Sequence, residues 1–247
     1  MPDTNRTTTR RRVVVTGAAG RIGRALAGPL DERWDVLRTD LPEAADAAGI
    51  APLDVTDLEA CRAAFADADA VVHLAADPGP GVSFDELHGP NLVGPYAVAQ
   101  AAADVRVRRL VLASSLHAMS ALPASVQRRT SDQPRPGNLY GAAKAWSEGL
   151  GAWIAATTGT SVVALRIGYF SEQRPGPDTL PQDRTAWLST RDAVELVRAS
   201  VEADLPAGVD GFVVAHGVSA NRHNVAELGA TRRDIGYVPV DDAWSEE

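Results

Sequence analysis

The sequence predicts an α/β protein built on a doubly wound parallel β-sheet. Short β-rich runs alternate with alanine-rich segments of helical period along most of the 247 residues. The strand-like runs are apolar on both faces, which is typical of parallel strands covered by helices on each side. No linker or internal repeat divides the chain, and its apolar fraction of 45% suffices for one large core. We therefore expect a single domain over residues 12–247, preceded by a flexible polar tail over residues 1–11.

The alternation sets the order of the elements. The predicted elements are strand 12–17 with helix 21–30, strand 34–40, strand 51–55 with helix 57–67, strand 70–76 with helix 91–103, strand 109–115 with the helix that contains "YGAAK", strand 161–168 with helix 189–203, and strand 211–217. The Pro- and Gly-rich stretch 171–183 is the longest irregular segment late in the chain. Because long irregular loops in compact domains often carry function, we expect it to cover a pocket.

Composition argues against several classes of protein. The net charge of −8 disfavours a nucleic-acid-binding surface, which needs clustered Lys and Arg. No apolar run reaches the roughly 20 residues that span a bilayer, and the start of the chain is polar rather than signal-like. Cys61, the only cysteine, falls in a helical pattern and is expected to be a buried apolar residue, and the histidines lack metal-site spacing. A cytoplasmic protein without a metal, membrane or nucleic-acid partner is predicted.

A glycine-rich turn follows the first predicted strand. In "VVVTGAAGRIGRAL", Gly17, Gly20 and Gly23 lie where the strand ends and the first helix opens. Glycines there let the backbone approach a pyrophosphate, and the helix N-terminus offers free N–H donors to its oxygens. Asp40 ends the second strand, where a carboxylate accepts hydrogen bonds from the adenosine ribose and repels a 2′-phosphate. The pattern predicts dinucleotide binding, with NAD preferred to NADP.

Two further stretches fit an adenosine site. In "LDV", Asp54 is placed to meet the adenine edge, next to Val55. In "HLAA", the small residues after a buried strand leave space for the cofactor, and they are Leu74, Ala75 and Ala76. His73, in the middle of that strand, is expected to be a core histidine.

The stretch "YGAAK" places Tyr140 and Lys144 on one face of a helix, because residues i and i+4 share a face. A nearby ammonium favours phenolate over phenol, so we expect Lys144 to lower the pKa of Tyr140 and to make it a general base. Ser115 ends the preceding strand, at the carboxyl edge of the sheet where doubly wound folds bind ligands. Its hydroxyl is predicted to hold a substrate oxygen.

Together these motifs resemble the short-chain dehydrogenase/reductase superfamily, and within it the extended, NAD-dependent epimerase/dehydratase family. The matching stretches are "TGAAGRIG", "LDV", "HLAA", "NLVGPYAVAQAA", "LASS", "YGAAK" and "LRIG". The resemblance implies a Rossmann fold that binds NAD, with Arg21 and Ile22 among the residues at the cofactor. It implies that Ser115, Tyr140 and Lys144 form the catalytic set.

The resemblance also implies additional roles. Lys144 and Tyr140 are implied to contact the cofactor, Lys144 at the nicotinamide ribose. Asn91 is implied to lie at the cofactor in a structural or proton-relay role. In related proteins the helices that hold "NLVGPYAVAQAA" and "YGAAK" often form a dimer face, so a homodimer is one expectation, and an ordinary core use of the same alanines is the other.

Within that family the chain is most similar to the uronate dehydrogenases, which oxidise galacturonate or glucuronate with NAD. The likeness rests on the short length, on "SSLH", on "RIG" followed by a Pro-rich loop with an arginine before "LS", and on "GYVPVDDA". It implies that His117 contacts substrate and that Arg184 clamps a substrate carboxylate, since a guanidinium meets a carboxylate in a bidentate fork. Substrate-binding insertions are expected near 171–190 and 217–247, in a small, reduced C-terminal substrate region.

The chain departs from the uronate dehydrogenases at three positions where that family has polar substrate contacts. They are occupied here by Pro78 or a neighbour, Leu116 and Tyr169. These residues predict a bulkier and less polar pocket, which suits a substrate other than a free hexuronate.

The leading hypothesis is therefore an NAD-dependent oxidoreductase that oxidises a hydroxyl of a small, sugar-derived substrate. One alternative is a nucleotide-sugar epimerase or dehydratase that retains its NAD, which needs a larger C-terminal region than the residues after "RIG" supply. Another is a catalytically idle NAD-binding regulator, against which the intact Ser115, Tyr140 and Lys144 weigh.

Overall fold

The computed structural model describes residues 10–206, 208 and 210–245, so most of the predicted tail, residues 1–9, lies outside the described residues. Seven parallel strands form one sheet in the order β3-β2-β1-β4-β5-β6-β9, and β7 and β8 form a separate two-stranded pair. The strands are β1 (Arg12–Thr16), β2 (Asp35–Asp40), β3 (Ala51–Pro52), β4 (Ala70–His73), β5 (Arg109–Ser115), β6 (Ser161–Ile167), β7 (Tyr169–Phe170), β8 (Trp187–Leu188) and β9 (Phe212–Gly217). The predicted doubly wound fold is confirmed.

Helices cover both faces of the sheet. Within the described residues they are α1 (Arg21–Asp31), α2 (Pro42–Ala48), α3 (Leu58–Phe65), α4 (Phe84–Leu87), α5 (Gly94–Asp104), α6 (Leu139–Thr157), α7 (Pro181–Thr185), α8 (Thr190–Glu202) and α9 (Gly229–Ile235). A π-helical segment, His88–Val93, precedes α5, and a 3₁₀ turn, Leu116–Met119, follows β5.

The core lies in two layers because successive side chains of a strand point to opposite faces. On β1, Val13 and Val15 pack with buried residues of α1 and α8, whereas Val14 packs with buried residues of α3, α5 and α6. Both layers are apolar, which explains why the strands read as continuous apolar runs rather than alternating ones. Within the part of the chain that the structure describes, no helix is both long and apolar enough to cross a membrane.

The short elements differ most from the sequence prediction. The sequence did not predict α2, α4, α7 or α9, nor the β7–β8 pair, because segments of two to seven residues are too short to show a period. Arg11, the last residue of the predicted tail, has a backbone carbonyl that accepts a hydrogen bond from Asp35 N at 2.9 Å, at the entry to β1 and β2.

Candidate active site

A cavity of about 820 Å³ opens at the carboxyl ends of β1, β4, β5 and β6. This is the edge of the sheet where parallel α/β folds bind their ligands. Its walls combine the glycine turn after β1, the end of β5, the first turns of α6 and the loop that contains α7.

The glycine turn forms one end of the cavity. Gly17 has a φ of +71°, and a Cβ there would overlap the backbone nitrogen of Ala75, so only glycine permits this approach of two strand ends. Gly20, Arg21, Ile22 and Gly23 follow it at the start of α1 and also line the cavity. The turn brings the backbone close to the cavity and the N-terminus of α1 supplies its N–H donors, which fits the pyrophosphate of a dinucleotide.

Asp40 lies beside this turn. One oxygen of its carboxylate accepts a hydrogen bond from Ala19 N at 2.8 Å, inside the glycine turn, and the other accepts one from Leu41 N at 2.8 Å. The backbone therefore fixes the carboxylate at the end of β2, next to the predicted phosphate site. This position fits an adenosine ribose rather than a 2′-phosphate.

Leu74 and Ala76 line the cavity, but Ala75, Asp54 and Val55 of the predicted adenosine site do not. Asp54 is exposed, and its Oδ1 accepts hydrogen bonds from Thr56 N at 2.9 Å and Thr56 Oγ1 at 2.7 Å. Val55 is buried in the layer that α3, α5 and α6 cover. Their contact with a cofactor stays a prediction.

Asn91 is buried and acts on the backbone. Its Oδ1 accepts a hydrogen bond from Asp77 N at 2.7 Å, and its Nδ2 donates one to Asp77 O at 3.0 Å. This two-way bond fixes the loop after β4 to the π-helical segment before α5. Asn91 does not line the cavity, so of the roles that the resemblance implied the geometry favours the structural one.

Ser115, Tyr140 and Lys144 meet on one wall of the cavity. Lys144 Nζ lies 5.5 Å from the centroid of the Tyr140 ring, and Ser115 is close enough to Tyr140 to lower the pKa of its phenol. Gly141 makes this possible, because a Cβ there would overlap the carbonyl oxygen of His117 and push α6 away from the end of β5. The i, i+4 spacing and the strand-end serine thus bring together the three groups that the sequence predicted.

The pKa of Tyr140 moves in the direction opposite to the prediction. Burial raises it, and this effect exceeds the lowering by Ser115 and by the charge of Arg21. The direction of this pKa shift could not be predicted from the sequence, because the extent to which the Tyr140 phenol is buried depends on the tertiary packing.

Lys144 is the only lysine in the chain, since every other basic residue among its 24 Lys and Arg is arginine. Its side chain is buried, with 5% of the residue exposed, and burial lowers its pKa to about 8. Within the described residues it has no carboxylate partner closer than 4 Å. A lysine suits this position because its ammonium is compact and its pKa shifts on burial, whereas a guanidinium stays charged.

We expect Lys144→Met to raise the free energy of unfolding at pH 7 by about 2–3 kcal/mol, because it removes a buried charge while keeping the length of the side chain. The folded pKa of about 8 lies below the unfolded value of 10.5. As the pH rises, the folded protein therefore loses the Lys144 proton at a lower pH than the unfolded chain does. The free energy of unfolding of the wild type should then rise between about pH 8 and pH 10.5. Urea unfolding at pH 7 and at pH 10 measures both effects.

The difference between the two proteins should shrink at the higher pH, because Lys144 is then neutral in the folded state. A Lys144→Met variant that is less stable than wild type at pH 7 would contradict this prediction. Lys144→Arg keeps a positive charge at this position and adds bulk. It serves as the control and should not be more stable than the wild type.

His117 lies against Tyr140, with their rings edge-on and their centroids 5.6 Å apart. Asn138 Oδ1 accepts a hydrogen bond from Gly141 N at 2.8 Å, so its Nδ2 donates to His117 Nδ1 at 3.0 Å. Burial lowers the pKa of His117, although the charge of Asp183 opposes this. A neutral His117 then carries its proton on Nε2, which makes it a donor in the wall of the cavity.

Arg184 does not line the cavity in the structure. Its Nη2 donates to Ala243 O at 3.2 Å, and its guanidinium lies over the ring of Trp244, 4.6 Å from the centroid. Its neighbours Gln182 and Asp183 in α7 line the cavity instead, and substrate contact by Arg184 stays a prediction.

Sequence reasoning also missed Arg128, a cavity-lining arginine in the irregular segment between β5 and α6. No motif or period marks this residue. The three departures from the uronate dehydrogenases, Pro78, Leu116 and Tyr169, all line the cavity, as the sequence led us to expect.

Fold and site together define an enzyme, an NAD-dependent dehydrogenase of the short-chain dehydrogenase/reductase superfamily. The model of one family within this superfamily matches residues 13–195. The chain belongs to that family, the NAD dependent epimerase/dehydratase family.

Several curated proteins are similar over nearly the whole chain. NAD-dependent glucose-6-phosphate dehydrogenase from Haloferax volcanii is 32% identical, with 94% of each chain covered. L-arabinose 1-dehydrogenase (NAD(P)(+)) from the same organism is 34% identical, with 94% of this chain and 97% of the relative covered. Uronate dehydrogenase from Pseudomonas putida is 31% identical, with 96% of this chain and 87% of the relative covered.

Solved structures of uronate dehydrogenases have the same fold. The enzyme from Agrobacterium tumefaciens superimposes with a TM-score of 0.83 at 28% identity, covering 94% of this chain and 85% of that one. A mutant of that enzyme in complex with NAD gives a TM-score of 0.82 at 27% identity, covering 94% and 86% of the two chains.

Proposed function

We propose that the protein is a uronate dehydrogenase-like enzyme that oxidises a hydroxyl of a small, sugar-derived substrate with NAD, using Tyr140 as the general base. One observation carries the proposal. Ser115, Tyr140 and Lys144 converge on the wall of a cavity whose other end is a glycine turn suited to a dinucleotide. The cavity volume of about 820 Å³ is in the range of sites that hold a cofactor and a small ligand.

The protein's own groups control the substrate oxygen and its proton. Ser115 Oγ donates a hydrogen bond to the hydroxyl oxygen of the substrate, and Tyr140 Oη removes the proton as the carbonyl forms. Bound NAD would supply the acceptor for the hydride of the substrate carbon and a positive ring charge in the cavity. His117 Nε2 is a further donor on the same wall and is proposed to orient a neighbouring substrate hydroxyl.

Charge makes the proton transfer feasible. Burial raises the pKa of Tyr140, so the phenolate needs positive charge nearby. The Lys144 ammonium, 5.5 Å from the Tyr140 ring, and the Arg21 guanidinium supply it from the protein. We propose that Lys144 also holds the nicotinamide ribose, which places its charge between the cofactor and the phenol.

A spectrophotometric assay tests the proposal. We expect the purified protein to reduce NAD with at least one member of a panel of uronates, aldoses and sugar phosphates, with a turnover number of about 1–10³ s⁻¹. NADP should support slower turnover than NAD, because the Asp40 carboxylate repels a 2′-phosphate. The absence of cofactor reduction with every sugar of the panel would remove the proposal.

The surface of α5 and α6 supports a proposed homodimer. Tyr96, Trp146 and Trp153 expose large aromatic rings on these two helices. Exposed aromatic groups on adjacent helices are common in interfaces between copies of a chain. Sedimentation of wild type and of a Trp146→Glu/Trp153→Glu variant tests this proposal, which a monomeric wild type would overturn. We also propose a cytoplasmic location, which cell fractionation tests.

A further inference from the structure

Arg128 brings a positive charge to the wall of the cavity, and in the described part of the chain it forms no ion pair. It lines the cavity together with Gln182, Asp183 and Val225. Its Nε and Nη1 are buried and have no hydrogen-bond partner in the part of the chain that the structure describes. Within those residues, no carboxylate lies within 4 Å of its guanidinium.

The backbone holds Arg128 firmly in place. Arg128 N donates to Val225 O at 2.9 Å, and Glu227 N donates to Arg128 O at 2.8 Å, so the residue forms an isolated parallel bridge with Ala226. The next residues are held as well, because Arg166 donates to the carbonyls of Arg129 and Thr130 at 3.3 and 3.5 Å. The side chain of Arg128 therefore starts from a fixed point on the cavity wall.

An unpaired and partly buried arginine lowers the stability of the protein when no ligand is bound. The Nε and Nη1 of Arg128 are removed from water without a partner and lose solvation that no described protein group replaces. Burial accordingly lowers the pKa of Arg128. A group that is unfavourable for folding and faces a ligand cavity fits a binding role better than a structural one.

Arg128 belongs to the substrate end of the cavity rather than to the cofactor end. Its backbone pairs with the segment after β9, whereas the glycine turn follows β1. Four strand spacings separate β1 from β9, which amounts to about 19 Å across the sheet. The catalytic Ser115, at the end of β5, lies between them. The cofactor phosphates at the glycine turn are therefore distinct from any anion that Arg128 binds.

We propose that Arg128 binds an oxyanion of the substrate, a carboxylate or a phosphate, and that the enzyme therefore prefers anionic sugars to neutral ones. This inference rests on the proposed function and makes its substrate class more specific. A guanidinium pairs with either oxyanion through two parallel N–H···O bonds. The relatives do not decide the question, since their names include a sugar phosphate, a neutral pentose and uronates as substrates.

The experiment compares glucose, glucuronate and glucose 6-phosphate, and the corresponding galactose series, as substrates of the full chain with NAD. These sugars share their ring and differ in charge. We expect kcat/KM to be at least about tenfold higher for the anion that fits Arg128 than for the neutral sugar, as for one charge-assisted hydrogen-bonded contact. The uronate and the phosphate arms separate the two sources of the anion.

Arg128→Met should remove this preference. We expect its KM for the anionic sugar to rise by at least about tenfold, with kcat, turnover of the neutral sugar and NAD binding changed by less than about threefold. The matched control is Arg129→Met, which removes an exposed arginine from the next position and should leave every parameter unchanged. Arg128→Lys keeps the positive charge but lacks the two parallel N–H donors of a guanidinium, so it should retain part of the preference for anionic sugars.

Direct binding separates this inference from the proposed function. Titration of each sugar into the NAD-loaded Tyr140→Phe variant, with and without Arg128→Met, measures affinity without turnover. Anion binding that Arg128→Met abolishes, in a protein that oxidises no sugar, would support Arg128 and overturn the proposed function. Any of three results would overturn the inference. Neutral and anionic sugars could bind with equal affinity, no anion of the panel could bind, or Arg128→Met could weaken the binding of both kinds of sugar equally.

Discussion

Replacing Tyr140 by phenylalanine should lower kcat/KM for NAD-dependent sugar oxidation by about 10²–10⁴-fold, the usual contribution of a positioned general base. The change removes one oxygen and leaves the ring that packs beside His117 and Lys144. NAD should therefore bind within about threefold of the wild-type affinity, since the glycine turn is untouched. Steady-state kinetics and calorimetric titration with NAD measure the two quantities.

The pH dependence gives an independent check. Because burial raises the pKa of Tyr140, the fraction of phenolate grows with pH throughout the neutral and mildly alkaline range. Wild-type oxidation should accordingly speed up as the pH rises towards about 8, where Lys144 begins to lose the charge that favours the phenolate, and the residual rate of Tyr140→Phe should lose that slope. Tyr96→Phe, the same chemical change on the exposed surface of α5, is the control and should leave both the rate and its slope unaltered. Full activity in Tyr140→Phe would exclude the phenol as the base.

The features predicted from the sequence are those that depend on regular spacing or on chain order. The apolar runs predicted the long strands of the sheet, because parallel strands buried on both faces must be apolar throughout. The i, i+4 spacing of Tyr140 and Lys144 predicted a shared helix face, and the position of Ser115 at a strand end predicted its place at the carboxyl edge. Each inference needs only local geometry and the handedness of the fold.

The wall of the substrate pocket follows no such rule. Arg128 and Arg184 both lie in irregular segments, and only the path of the backbone decides which of them reaches the cavity. The path depends on contacts between residues far apart in sequence, such as the bridge between Arg128 and Ala226. The direction of the Tyr140 pKa shift was missed for the same reason, since it depends on burial by distant segments.

A buried ion pair links the core to this pocket wall, and no motif or period in the sequence predicted it. Arg166 on β6 and Glu148 on α6 have side chains that are 2% and 6% exposed. Arg166 Nε and Nη2 each donate to the Glu148 carboxylate at 2.9 Å, and Ser114 Oγ donates to it at 2.6 Å. Arg166 also donates to the carbonyl of Asp132 at 3.2 Å. The pair therefore holds the loop that carries Arg128 against the sheet.

We expect Arg166→Met to lower the free energy of unfolding by about 3–5 kcal/mol, because it leaves the Glu148 carboxylate buried without its partner. For a chain of this size the melting temperature should fall by on the order of 10 °C. Urea unfolding and calorimetry measure the loss. The loop that loses its Arg166 hydrogen bonds carries Arg128, so any anionic substrate should also show a higher KM at temperatures where the variant is folded.

Two variants separate the ion pair from a general effect of losing an arginine. The double variant Arg166→Met/Glu148→Leu removes both charges and should recover much of the stability, since an apolar pair of similar volume replaces a buried ionic one at little net cost. Arg198→Met breaks a partly exposed pair with Glu195 and Glu202 on α8 and should cost no more than about 1 kcal/mol. If Arg166→Met were no more harmful than Arg198→Met, the buried pair would not be what fixes the loop, and the rigid placement of Arg128 would need another cause.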